Sequence, residues 1–388
     1  MFGDIIDTSV VEVCVPWRSS AVWEQRLEFV RLVEAGGVSF AVLCRRFGIS
    51  RPTGYKWVAR YWSEGVAGLV NRSTVPKVSP LRTPEAVEEL VCAAREAHPG
   101  WGGRKLRGFL LRQGHSGVPA ASTITQILRR HGLMEHEVAP RRDYLRFERA
   151  APNELWQMDF KGHFGLEDGT RCHPFGVIDD YSRYSISLVA CGDERTGTVK
   201  QHLQVAFGRY GLPEAMLCDN GSPWGNNRGQ SWTPLTVWLA DLGVEVIHTA
   251  PFHPQTNGKK ERLHLTLDIE VLNTRPVWRD LGQVQEAFEA WEPVYNHHRP
   301  HQSLGETVVP ADRYRPSPRS LPDQVAPHRY PDHWHTRKVD TSARISFLGR
   351  RVRTGRAFKG RHVAVAPTTD PDVFHIYYRH HHIRTINL

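Results

Sequence analysis

The chain has 388 residues, 40% hydrophobic, 23% charged and 10% aromatic. This globular balance excludes wholesale disorder and, with no apolar run of about 18 residues, a membrane-spanning helix. The net charge of +9 is unevenly laid out: residues 1–150 carry 22 Lys and Arg against 15 Asp and Glu, residues 151–310 carry 13 against 20, and residues 311–388 carry 15 against 6. Basic flanks suit a polyanionic partner, whereas an acidic middle repels one unless its carboxylates hold metal ions. Asp4, Asp7, Glu12, Arg18 and Glu24 interrupt any signal-peptide core, so a cytoplasmic protein is expected. The six cysteines form no C-x-x-C pair, which argues against a disulfide framework or a zinc ribbon and for buried, reduced thiols.

From Val22 the apolar residues Trp23, Leu27, Val30 and Val33 recur at helical spacing until Gly36-Gly37. Ser39 opens a short helix, Phe47 to Ser50 reads as a tight turn, and Ser50 caps a third helix over Arg51 to Tyr61. This is a helix-turn-helix pattern. With Tyr55, Val58 and Tyr61 or Trp62 facing inward, Arg51, Thr53, Lys56 and Arg60 point outward, as recognition of a major groove requires. Residues 71–82, with Pro76 and Pro80, read as a linker. A second helix-turn-helix candidate spans 83–140, its middle helix carrying Leu106, Phe109 and Leu110 beside Arg104, Lys105, Arg107 and Arg112, with Arg104 and Lys105 as expected DNA contacts, and its last running from Ala121 to His131.

From Glu154 the pattern changes to strands: Leu155 to Phe160, Cys172 to Ile178 and Tyr184 to Val189, with Asp179 to Arg183 as a turn. A helix (Thr196 to Tyr210), a strand (Ala215 to Cys218), a helix (Pro234 to Leu242) and a strand (Val244 to Ile247) follow, then helices over Asn257 to Leu272 and Asp280 to His297. A strand meander that passes into helix-strand alternation predicts a mixed-sheet α/β domain over 141–314. A Pro-rich linker is expected over 315–337 and a small C-terminal β-barrel, DNA-binding by its charge, over 338–388.

Three carboxylates stand where chemistry needs them. Asp159 ends the first strand, Asp219 follows Leu217-Cys218 and precedes Asn220-Gly221-Ser222, and Glu261 opens a helix after His253-Pro-Gln-Thr-Asn-Gly258. Clustered carboxylates repel, so such a trio is worth building when hard divalent cations neutralise it. Two Mg²⁺ ions about 4 Å apart serve in-line attack at phosphorus by activating one oxygen and stabilising another. Three other groups read as structural: Asp179-Asp180 in a turn, Tyr295 on a helix stripe with Phe288, Trp291 and Val294, and His380-His381-His382 at a basic strand edge.

At these words the chain resembles the DDE transposases of bacterial insertion sequences, those with a retroviral-integrase-type catalytic core. The resemblance rests on Trp156-Gln-Met-Asp159, Asp219-Asn-Gly-Ser222, His253 through Glu261-Arg262, Tyr295-Asn296 and Arg299-Pro300-His301, preceded by paired helix-turn-helix modules. It implies a ribonuclease H-like core in which Asp159, Asp219 and Glu261 bind two Mg²⁺ ions, with Mn²⁺ able to substitute. It further implies that His253, Asn257, Lys259 and Arg262 lie near DNA or the scissile phosphate. The implied partners are double-stranded DNA, both terminal inverted repeats and target, and a second copy of the chain at least. The implied reaction is hydrolysis at the element end followed by attack of the freed 3′-hydroxyl on target DNA, without a covalent protein intermediate. Two departures stand out: the 41 residues between Asp219 and Glu261 exceed the retroviral spacing, and no His-His-Cys-Cys module precedes the core. A repressor or domesticated transposase that uses only the helix-turn-helix modules is the alternative.

Overall fold

The computed structural model describes residues 22–72, 82–134, 148–225, 232–249 and 258–387. The chain divides into two compact units, Met1–Arg82 and Thr83–Leu388. No helix of the described residues is long and apolar enough to cross a membrane.

The first unit is the expected three-helix module: α1 (Val22–Ala35), α2 (Phe40–Arg46) and α3 (Arg51–Glu64). Phe29, Val30, Leu43, Cys44, Trp57 and Val58 form its core. The inward stripe of α3 differs from the expected one, since Tyr55 and Trp62 are 61% and 69% exposed while Trp57 is buried. The reason is Gly54, where a Cβ would stand 2.8 Å from Phe40 and 2.9 Å from Cys44. Close approach at Gly54 turns the 54/57/58/61 stripe inward, an i, i+3, i+4, i+7 face.

The second unit begins with α4 (Glu85–Ala97), α5 (Gly103–Arg112) and α6 (Ala121–Arg130), packed around Trp101, Leu106, Leu110, Ile124 and Leu128. This helical group is seated on the domain that follows. Gly108 presses so closely on residue 306 that a Cβ would lie 2.0 Å from the Glu306 carbonyl oxygen. Arg107 pairs with Glu306, and Arg112 grips Asp312 with two hydrogen bonds of 2.7 and 2.8 Å.

The central sheet contains β1 (Leu155–Phe160), β2 (Phe164–Gly165), β3 (Arg171–Asp179), β4 (Ser185–Cys191), β5 (Ala215–Cys218) and β6 (Glu245–His248). Its path is β4-β3-β1-β5-β6, with the short β2 also on β3. The meander strands pair antiparallel, whereas β1-β5 and β5-β6 are parallel. The helices α7 (Thr196–Tyr210) and α8 (Pro234–Asp241) bury Leu203, Phe207, Leu235 and Leu239 against Trp156, Phe175 and Met216. On the other face α9 (Gly258–Glu270) and α10 (Leu281–Pro293) bury Leu263, Leu267, Val284 and Phe288 against Ile178 and Leu188. This three-layer mixed-sheet arrangement is the ribonuclease H-like fold expected from the sequence.

One buried carboxyl in this packing gives a stability test. Glu292 on α10 accepts a 2.7 Å hydrogen bond from the Ser185 hydroxyl on β4, and burial pushes it up to about 7 from an ordinary 4.5. The folded state therefore holds a proton that the unfolded state has lost between those two pH values. Stability should fall as pH rises through that window, by on the order of 3 kcal/mol, and level off above it. Glu292→Gln is expected to flatten this decline in urea unfolding measured from pH 4 to 8; an unchanged slope would refute the assignment.

The chain continues through α11 (Pro310–Arg313) into the Pro-rich stretch, whose first residues are pinned to the core. Arg319 donates to the carbonyls of Pro213 (2.6 Å) and Gly243 (2.8 Å), and the Ser317 hydroxyl donates to that of Leu212. The C-terminal strands are β7 (His335–Lys338), β8 (Arg344–Phe347), β9 (Arg350–Arg353), β10 (His362–Pro367), β11 (Val373–Tyr378) and β12 (His381–Asn387). The closed barrel expected here is corrected. The strands form a four-stranded antiparallel sheet, β12-β11-β10-β7, and a separate β8-β9 hairpin. The two close over Ile345, Phe347, Val363, Val365 and Ile376 through side chains, so no ladder is needed to seal the apolar interior.

Candidate active site

Asp159 and Asp219 meet because of strand register. On the parallel pair β1-β5, Leu155 lies beside Ala215, Trp156 beside Met216 and Gln157 beside Leu217. Two further steps bring Asp159 level with Asp219 at the carboxyl ends of strands about 4.8 Å apart. By strand alternation both side chains leave the sheet opposite Trp156, Met158, Met216 and Cys218, which are buried in the α7-α8 layer. Burial raises the Asp159 carboxyl, the Lys260 ammonium works against that rise, and the Asp219 charge adds to it. One Asp219 carboxylate oxygen accepts from the Gly221 amide (2.8 Å) and from the Trp224 indole. Trp224 is itself buried and stacks on Phe160 at 5.6 Å, so the indole fixes that carboxylate in one orientation.

Lys260 is the residue that sequence reasoning missed. It is 1% exposed, and its ammonium donates to the Gly176 carbonyl on β3. Burial lowers it to about 7 against the pull of Asp159, Cys218 and Asp219. The signal available was helical periodicity: Lys260, Leu263 and Leu267 share a stripe of α9, so a lysine sits where an apolar residue belongs.

Glu261, in the first turn of α9, is exposed. Among the described residues no three acidic, His or Cys side chains are gathered to hold a metal ion, so the structure brings together two of the three expected carboxylates. The two that meet are hard oxygen donors carrying like charge, one driven up by burial, and this donor set fits Mg²⁺. His253 and Asn257 lie outside the described residues. Lys259 pairs with the wholly buried Asp180, which also accepts from Gln157 (2.6 Å) and the Arg149 amide (2.8 Å). Asp179 accepts from the Asn153 amide and from both the amide and hydroxyl of Ser182, which makes the acidic pair the turn-builder that the sequence reading expected. Tyr295 is a core residue, and His381 and His382 lie on the edge strand β12.

Of the expected DNA contacts, Arg51, Lys56, Arg104 and Arg262 are exposed. Thr53 helps to cap α3 by donating its amide to the Ser50 hydroxyl (3.4 Å), and Arg60 and Lys56 lie over the Trp57 ring. Lys105, also expected at DNA, is turned inward. Its side chain is 15% exposed and lies 3.6 Å from Glu270, because α5 turns its basic face toward the acidic core domain.

Residues 149–254 and 242–308 match models described as Integrase core domain, 20–70 and 53–128 match Homeodomain-like domain, and 334–388 match IS481 family transposase, C-terminal domain. The chain is 29% identical over 161 residues to an uncharacterized 39.2 kDa protein of insertion element IS476 from Xanthomonas euvesicatoria, covering 41% of this chain and 44% of the relative. It is 27% identical over 155 residues to an uncharacterized 31.7 kDa protein of insertion element IS407 from Burkholderia multivorans, covering 40% and 53%. The chain thus spans about half the length of these curated relatives. A 120-residue stretch, 31% of the chain, is 32% identical to 6% of the Gag-Pro-Pol polyprotein of Mason-Pfizer monkey virus. A solved simian T-cell lymphotropic virus intasome chain overlaps 78% of this chain and 95% of its own length, at 15% identity and a TM-score of 0.38. The matched domain models together span residues 20–308 and 334–388, so over most of its length the chain is similar to insertion-sequence transposases with an integrase core, the family that its motifs resemble.

Proposed function

We propose that this chain binds the terminal inverted repeats of a mobile DNA element and catalyses metal-dependent cleavage and strand transfer, with Asp159, Asp219 and Glu261 as the metal-binding trio. The observation that carries the reading is the level pairing of Asp159 and Asp219 on adjacent parallel strands of an integrase-core sheet. Bound Mg²⁺ supplies activation of the attacking oxygen and charge stabilisation at the leaving one. The chain's own residues do the positioning: Gly221 and Trp224 orient the Asp219 carboxylate, and Lys260 offsets part of the negative charge. Glu261 joins the aspartates from the start of α9 when DNA and metal are bound. Arg51, Lys56, Arg104 and Arg262 contact DNA, and action on two element ends requires at least a dimer.

The test is incubation of the purified chain with the DNA flanking its own gene in Mg²⁺ or Mn²⁺, mapping nicks and joined strands. Metal-dependent nicks at fixed ends together with joined products are expected. Nicks without joined strands would reduce the reading to a hydrolytic nuclease, and specific binding without cutting would replace it with the repressor reading.

A further inference from the structure

The β8-β9 hairpin carries two features that the active site does not use. Its register pairs Arg344 with Arg353 and Ser346 with Arg351 on one face, while Ile345 and Phe347 enter the domain core from the other. Beside that outer face, Arg384 donates to the Arg353 carbonyl (2.8 Å) and Arg337 to the Ser346 carbonyl (3.1 Å). Among the described residues, the ion pairs of this domain are made by Arg361 and Arg379, both to Asp241. Among the described residues none of Arg337, Arg344, Arg351, Arg353 and Arg384 is ion-paired, so their positive charge is left for a partner to meet.

The second feature is the hairpin tip. Leu348 and Gly349 have φ of +48° and +73°, the left-handed pair of a two-residue turn for which Asn-Gly is the unstrained choice. Leu348 is instead a strained, apolar residue that is 65% exposed. A strained backbone and a hydrated leucine at the leading point of an arginine ribbon are both unfavourable in the free chain. Insertion of the side chain into an apolar stack removes the second cost. The sheet under the ribbon is fixed to α8, where Asp241 accepts from Tyr378, Arg379 and Arg361, and Ile345 and Phe347 of the ribbon share one apolar cluster with that sheet, Val237 and Ala240.

We propose that the β8-β9 ribbon is a duplex-DNA grip whose outward arginines neutralise phosphates while Leu348 wedges a base step from the minor groove and bends the duplex. This rests on the DNA-acting reading above and adds which surface deforms the DNA. The partner is set by charge complementarity: a row of guanidiniums at strand spacing faces a polyanion, and an apolar wedge needs stacked bases to enter.

The experiment uses the full chain and a 30-base-pair duplex labelled with a fluorescent donor and acceptor at its two ends, reading affinity by anisotropy over a salt series and bending by energy transfer. Leu348→Asn, which suits the left-handed turn, is expected to bind within about threefold of the parent and to lose the rise in energy transfer. Arg351→Gln with Arg353→Gln is expected to reduce the slope of log affinity against log salt by about 1.8, two phosphates at about 0.9 each. An unchanged bend in the first variant, an unchanged slope in the second, or a parent that binds without bending overturns the ribbon proposal and leaves the DNA-acting reading standing. A parent that binds no duplex at any salt overturns both.

Discussion

Asp219→Asn is expected to abolish metal-dependent DNA cutting, by about a thousandfold or more, while DNA affinity changes little. The asparagine oxygen still accepts from the Gly221 amide and the Trp224 indole, so the loop keeps its shape and only the charge is lost. Metal-ion stabilisation of the transition state is worth several kcal/mol, and each 1.4 kcal/mol is a factor of ten in rate. Asp159→Asn should match it, and Glu261→Gln should abolish cutting as fully despite its exposed position. Because Trp224 touches the proposed ligand, its fluorescence supplies a readout independent of turnover. Titration with Mg²⁺ should change the emission of the parent and leave Asp219→Asn unaltered. Cutting within tenfold of the parent in any of the three variants would remove that residue from the trio.

Glu270→Ala is expected to cost the fold about 3–5 kcal/mol, the usual penalty for leaving one member of a buried ion pair alone. Glu270 and Arg299 are 7% and 4% exposed and meet at 2.8 Å, with the Trp291 indole also donating to Glu270 at 3.0 Å. Removal of the carboxylate strands the Arg299 guanidinium and the half-compensated Lys105 ammonium at the seam where α5 meets the core domain. Urea unfolding reads the loss. Limited proteolysis should show the α4 to α6 segment released first, because Glu270 is one of the points that hold it. A double variant, Glu270→Ala with Arg299→Met, should recover part of the loss, since the stranded charge is then gone as well. Destabilisation below about 1 kcal/mol in the single variant would mean that Arg299 finds a new partner or water at that seam.

The elements of the core were legible in the chain itself. The helix Thr196–Tyr210 and the strand Ala215–Cys218 have the bounds that their periodicity predicts, because each is a local pattern of apolar spacing closed by glycine or proline. The carboxylates Asp159 and Asp219 stand out for a similar reason, since each comes at the end of an apolar run, and the register of β1 and β5 brings them level.

Tertiary structure decided what local pattern leaves degenerate. Tyr55 and Trp57 both fit an apolar stripe on α3, and only the close approach at Gly54 chose between them. Arg104 and Lys105 are adjacent basic residues, and the seating of α5 on Glu270 left one in solvent and took the other inward. Lys259 and Lys260 read alike as a basic pair before Glu261, yet helical rotation sends one to Asp180 and the other beneath the two aspartates. The closure of the C-terminal strands was likewise open, because strand number does not state which edges pair. In each case the sequence sets the residue's chemistry over a few neighbours. The sign of its role, toward solvent, ligand or ion partner, comes from groups that are distant in the chain and adjacent only in the fold.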